Sequence, residues 1–183
     1  MTKLWLGAEY AEYKDDQIDY AEMNDLMRRF LSRDSSMKRT QFLEVLEQQV
    51  SVFGSPLEFY YDDVSRVRAT GKHSEPGTYE QNVRDSVEHH IRQFELLKPK
   101  LVLIGGGLAF ENFRKIVLPN LNLESLAIVR IRNASRQAHL GRIATWMEKY
   151  HKTRIEIPQG HGIQFYHLAC RGNGEPFRLR SVK

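Results

Sequence analysis

The run Leu101-Val102-Leu103-Ile104, entered after Pro99 and left through Gly105-Gly106-Gly107, constrains this chain more than any other segment. Four consecutive apolar residues have no polar face to turn to water, so the run reads as a strand covered on both sides. Upstream, Tyr79 to Leu97 carries Val83, Val87, Ile91 and Phe94 at three- and four-residue spacing, the stripe of an amphipathic helix. Downstream, the glycines turn the chain into a helix from about Leu108 to Ile116, and Leu126 to Ile131 reads as the next strand. Strand, helix and strand in alternation predict a parallel sheet with helices on both faces and a ligand at the carboxyl ends of the strands.

The flanking segments extend the same rhythm. Lys3 to Leu6 is a short strand ending at Gly7, and helices are predicted over Tyr20 to Leu31 and Arg39 to Phe53. In the second, Phe42, Leu46, Val50 and Phe53 share one face, and Gly54-Ser55-Pro56 ends it. Leu57 to Tyr61 has the aromatic content of a strand, and the polar stretch from Asp62 to Gly77 reads as a long functional loop. A polar loop from Arg132 to Ala138 and a helix from Gly141 to Tyr150 follow. The tail holds two strands, Arg154 to Ile157 and Ile163 to Leu168, parted by Pro158-Gln159-Gly160-His161-Gly162. The expectation is one domain over 1–183, a three-layer α/β/α sandwich around a mainly parallel four-stranded sheet, with a short C-terminal strand extension.

Composition narrows the function classes. With 41% apolar and 27% charged residues in 183, the chain has the balance of a soluble globular domain able to bury its own core. Cys170 is the sole cysteine, which excludes a disulfide within the chain and any cysteine-rich metal cluster, and agrees with a reducing, cytoplasmic compartment. No segment approaches the ~18 apolar residues of a membrane span, and the N-terminal residues lack a signal-like apolar stretch. The net charge of +4 suits a polyanionic partner. Arg66, Arg68 and Lys72 fall in one loop, and Arg130, Arg132, Arg136 and Arg142 surround another, so two basic loops are placed to grip a phosphate backbone.

The succession from Thr78 to Phe110, a long amphipathic helix, then Lys98-Pro99, the apolar strand, a glycine and a small residue entering the next helix, resembles the uracil-DNA glycosylase superfamily in its smaller members. Three further segments fall at the strand ends where that family has its active site. Gly7-Ala8-Glu9-Tyr10 is similar to its opening motif, a glycine followed within two residues by a catalytic carboxylate, here Glu9 in place of the commoner aspartate. Tyr61-Asp62-Asp63 resembles the strand end bearing a base-reading asparagine, with Asp63 in that place. Asn133-Ala134-Ser135 is similar to the Asn-Pro-Ser form of the third motif, without its proline. The resemblance spans residues 3 to 150 and implies a DNA glycosylase acting as a monomer in repair or in defence against foreign DNA.

Releasing a base from deoxyribose develops positive charge on the sugar and negative charge on the base. The resemblance gives Glu9 the task of stabilising the sugar cation and orienting water, with Glu12, Asp15 and Asp16 as competitors, and gives Asn133 the task of stabilising the leaving base. Tyr10 or Tyr13 would stack on the extruded base and Asp63 would read its edge. Ser135 would hold phosphate, while Arg136 or Gln137 would fill the gap in the duplex. An ionised aspartate only accepts hydrogen bonds, so Asp63 favours a base with an exocyclic amine, cytosine or a modified cytosine, over uracil.

Base hydrolysis requires no cofactor, and the histidines read as scattered: His89 and His90 are neighbours on a helix, and His161 and His167 fall in separate tail segments, so no metal site is expected. Two other functions fit parts of the sequence. The triple glycine after a strand is open to reading as a nucleotide phosphate loop, although it lacks the Gly-x-Gly-x-x-Gly spacing and a following Lys-Ser/Thr. A DNA-binding module of the same fold without catalysis would also account for the altered motifs.

Overall fold

A computed structural model of the protein describes residues 3–7, 28–29, 32, 41–55, 58–65, 78–132, 154–158, 160–169 and 178–182. The elements are β1 (Lys3–Gly7), α1 (Gln41–Ser51), β2 (Phe59–Asp63), α2 (Thr78–Asp85), α3 (Val87–Leu97), β3 (Leu101–Gly105), α4 (Gly107–Asn112), β4 (Ser125–Ile131), β5 (Gly162–Ala169) and β6 (Arg178–Ser181). They form one sheet in the order β2-β1-β3-β4-β5-β6, parallel from β2 to β5, with β6 antiparallel to β5.

Strand alternation divides the core in two. Leu101, Leu103, Val129 and Ile131 point to one face, where Leu46, Val50 and Phe53 from α1 and its end cover them with Tyr166 and Leu168. Val102, Ile104 and Ile128 point to the other, beneath Val83, Phe94, Phe110 and Phe113. The result is an α/β/α sandwich, because β3 and the middle of β4 (Leu126 to Val129) are apolar on both faces and need cover on both sides. Among the described residues, no helix is long and apolar enough to cross a membrane.

Several boundaries differ from expectation. The strand begins at Phe59 rather than Leu57 and runs through Asp63, so both aspartates belong to β2 and not to the loop. The single helix expected over Tyr79 to Leu97 is two, broken at Ser86, whose hydroxyl donates to the Asn82 carbonyl at 2.8 Å while its φ and ψ of −92° and −5° open the turn. Side-chain bonding to the carbonyl four residues back competes with the helix ladder. The helix after the glycines stops at Asn112 and passes into a π-helical turn, Phe113–Val117, and a 3-10 turn, Leu118–Asn120. The stretch 154–157 is no strand. The Ile155 amide donates to the Val52 carbonyl at 3.0 Å, and Ile155 and Ile157 pack as irregular chain against the α1 core. The C-terminal extension is larger than expected, since β6 pairs with β5. The expected helices over Tyr20 to Leu31 and Gly141 to Tyr150 fall wholly or almost wholly outside the described residues.

Candidate functional site

Four of the five parallel strands end level. Gly7 pairs with Asp63, Leu6 with Ile104, and Gly105 with Ile131, so the ends of β1 to β4 form one row along one rim of the sheet. The chain leaves β1 towards β2 and returns from β2 to β3 across the opposite face, which makes the β1/β3 boundary a topological switch point. In sheets of this kind ligands bind there, in the crevice outside the carboxyl ends.

The triple glycine serves the turn at this rim. Gly106 adopts φ 94° and ψ 162°, a region open to glycine alone, and its amide donates to the Ile131 carbonyl at 2.9 Å. That amide is therefore committed to closing β3 onto β4, and α4 has only six residues. Both facts weigh against a nucleotide phosphate loop, which needs free amides at the start of a sustained helix.

A row of basic side chains crosses the sheet beside this rim. Arg130 on β4 stands opposite His167 on β5, which stands opposite Arg180 on β6. The Arg130 guanidinium lies 5.8 Å from the centroid of the Phe110 ring, and Arg114 lies 4.8 Å from that of Phe165. Arg130 is thus a strand residue, as expected for the run Leu126 to Ile131, and its guanidinium lies over an aromatic ring. Burial, followed by the charges of Arg130, Arg132 and Arg180, holds the His167 imidazole below its ordinary pKa. Protonating His167 sets like charges directly across neighbouring strands, and an anion laid over the row relieves that repulsion. Arg132, exposed at the end of β4, is anchored through its backbone, whose carbonyl accepts from Gln49 Nε2 on α1 at 3.0 Å.

A second polar cluster lies where β2 meets α3. Asp62 is buried and accepts from Gln93 Nε2 at 2.7 Å, from His89 Nε2 at 2.7 Å and from the Asp63 amide at 2.8 Å. His90 is fully buried, with Nε2 2.9 Å from the Val64 carbonyl and Nδ1 3.4 Å from Gln93 Oε1. Desolvation lowers its pKa. Asp62, His89 and His90 together offer ligand atoms within 4.8 Å of one another. The expectation that the histidines are scattered is corrected here: His89 bonds the Asp62 carboxylate, 27 positions away and brought to it by the β2-to-α3 crossover, and His90 offers a ring nitrogen within 4.8 Å of the same group.

Of the residues singled out from sequence, Asp63 is buried at the end of β2 and Arg132 lies at the end of β4. Glu9, Tyr10, Tyr13, Arg66, Arg68, Lys72, Asn133, Ser135, Arg136 and Gln137 lie outside the described residues, in the segments that follow β1, β2 and β4. Sequence reasoning missed Asp62, His90, Gln93, His167 and Arg180 as members of clusters. One signal was present for the second cluster: His90 and Gln93 interrupt the apolar face that Val83, Val87 and Phe94 define. A cleft of about 420 Å3 between the end of α3 and the segment before β4, lined by Lys98, Lys100 and Glu124 among others, lies at the amino ends of β3 and β4, remote from the rim.

No protein-family model, curated protein or solved structure matches the chain.

Proposed function

We propose that the chain is a DNA glycosylase that binds DNA across the carboxyl rim of its sheet and hydrolyses the N-glycosidic bond of a flipped cytosine-like or uracil-like base, leaving an abasic site. It acts as a monomer in the cytoplasm, without a cofactor in the hydrolytic step. The observation that carries the reading is the row Arg130, His167 and Arg180, three basic groups aligned across three strands beside the rim. Such a row fits a phosphodiester chain better than a single small anion, because successive phosphates present repeated charge.

The level strand ends lend the catalytic part its support. Glu9 is joined to Gly7 through one residue, and Asn133 directly to Arg132, so both motifs start from the rim that also ends in Asp63. On this reading Glu9 stabilises the sugar cation and Asn133 the departing base. Asp63 accepts from the exocyclic amine, and Tyr10 or Tyr13 stacks on the ring. Arg66, Arg68, Lys72, Arg132, Ser135 and Arg136 or Gln137 hold the strand.

Fluorescence anisotropy with a labelled oligonucleotide, repeated over a series of salt concentrations, tests the binding half. Removing charge in Arg130→Gln and Arg180→Gln should weaken binding and lower the salt slope by about one for each phosphate that is no longer neutralised. An unchanged slope in both variants removes the row from the interface. Salt-sensitive binding by a protein that releases no base would leave the DNA-binding module as the surviving function.

A further inference from the structure

We propose that Asp62, His89 and His90 bind one divalent transition-metal ion of the zinc class, which ties the end of β2 to α3. The inference stands apart from the reading of the chain as a glycosylase, since base hydrolysis needs no metal.

Hydrogen-bond accounting in the cluster carries it. Gln93 Nε2 must face Asp62 Oδ2, 2.7 Å away, because the reversed amide would set oxygen against carboxylate. Gln93 Oε1 is thereby turned to His90 Nδ1 at 3.4 Å. His90 Nε2 faces the Val64 carbonyl, which only accepts, so that nitrogen carries a ring proton, and burial disfavours a second proton on the ring. Nδ1 then holds a lone pair, and two acceptors confront each other in a place with no exposure at His90 and 6% at Gln93. Buried acceptors facing one another lack a positive centre between them, and the neighbouring carboxylate of Asp62 adds negative charge to the same place.

The donor set selects the ion. Two imidazoles and one carboxylate match zinc and its neighbours rather than calcium or magnesium, which take oxygen ligands. The outer contacts are in place too: Gln93 and the Asp63 amide orient the carboxylate, and the Val64 carbonyl fixes the His90 tautomer. His89 Nε2 and Asp62 Oδ2, 2.7 Å apart, hold a proton between them. An ion bound by both displaces that proton to solvent, with the half-exposed His89 ring shifting to admit it.

The test uses the full chain, stripped with a chelator and titrated with Zn2+ against a chromophoric competitor, and with Co2+ followed by visible absorption. The expected result is one metal ion per chain with a tetrahedral cobalt spectrum, and affinity lower by about tenfold or more in His89→Ala and in Asp62→Asn. Circular dichroism establishes that each variant is folded. Failure of the unaltered protein to take up a stoichiometric ion overturns the proposal, whatever the variants do. Uptake undiminished in either folded variant overturns it as well, by assigning the ion to other residues.

Discussion

His167 illustrates how much one side chain's surroundings decide. Burial and three neighbouring arginines disfavour its protonated form in the free protein, whereas a phosphate over the row would favour it. If the rim binds DNA as proposed, that binding couples to proton uptake. Affinity should rise as pH falls through the bound-state pKa and level off below the free-state value, which itself lies under 6.5. His167→Gln should flatten that dependence, and an equally steep profile in the variant would remove the histidine from the coupling. Asp63 makes a second residue-scale claim. Replacing it with asparagine supplies a donor for a carbonyl where the carboxylate only accepts, so base preference should move from cytosine-like towards uracil-like substrates by ~1–3 kcal/mol in relative kcat/KM. Competition between two labelled oligonucleotides reads it directly, and an unchanged ratio would mean that Asp63 does not face the base.

At the scale of elements, legibility followed burial. The strands around Leu101 to Ile104 and Leu126 to Val129 were plain in the sequence because both of their faces are covered, which forces unbroken apolar runs. Arg178 to Ser181 was not, because a mostly exposed strand needs no such run and is held through pairing with β5 and the packing of Leu179 alone among its side chains against the core. Arg154 to Ile157 alternates like a strand, yet its Ile155 amide bonds the end of α1, and no local pattern announces a partner so far back in the chain. The break at Ser86 was hidden for a similar reason: the apolar stripe continues across it. Two substitutions probe these elements. Phe113→Ala removes a fully buried ring that packs 5.9 Å from the Phe94 ring, and should destabilise the fold by ~3–5 kcal/mol in urea unfolding. Gly106→Ala puts a side chain on a residue at φ 94° and should cost ~1–3 kcal/mol by the same measurement. A neutral result there would mean the turn into α4 can be made in another way.

For the whole molecule, the doubly wound sheet was legible and the site only in part. Alternating elements pointed to the carboxyl ends of the strands as the place for a ligand, and the level pairing of Gly7, Asp63, Gly105 and Ile131 gives that rim its shape. What spacing could not reveal were clusters assembled across crossovers: Asp62 with His89 and His90, and Arg130 with His167 and Arg180. The central claim, that this rim serves base release from DNA, is tested most directly by one assay. Oligonucleotides each carrying a single candidate base, among them uracil, cytosine and substituted cytosines, are incubated with the protein and treated with alkali, and strand cleavage is quantified. The expected result is cleavage at a cytosine-like base, abolished in Glu9→Gln while DNA binding persists, because the exchange keeps size and removes the charge beside the sugar cation. Absence of cleavage at every base would contradict the claim, and full cleavage by Glu9→Gln would contradict the role given to Glu9.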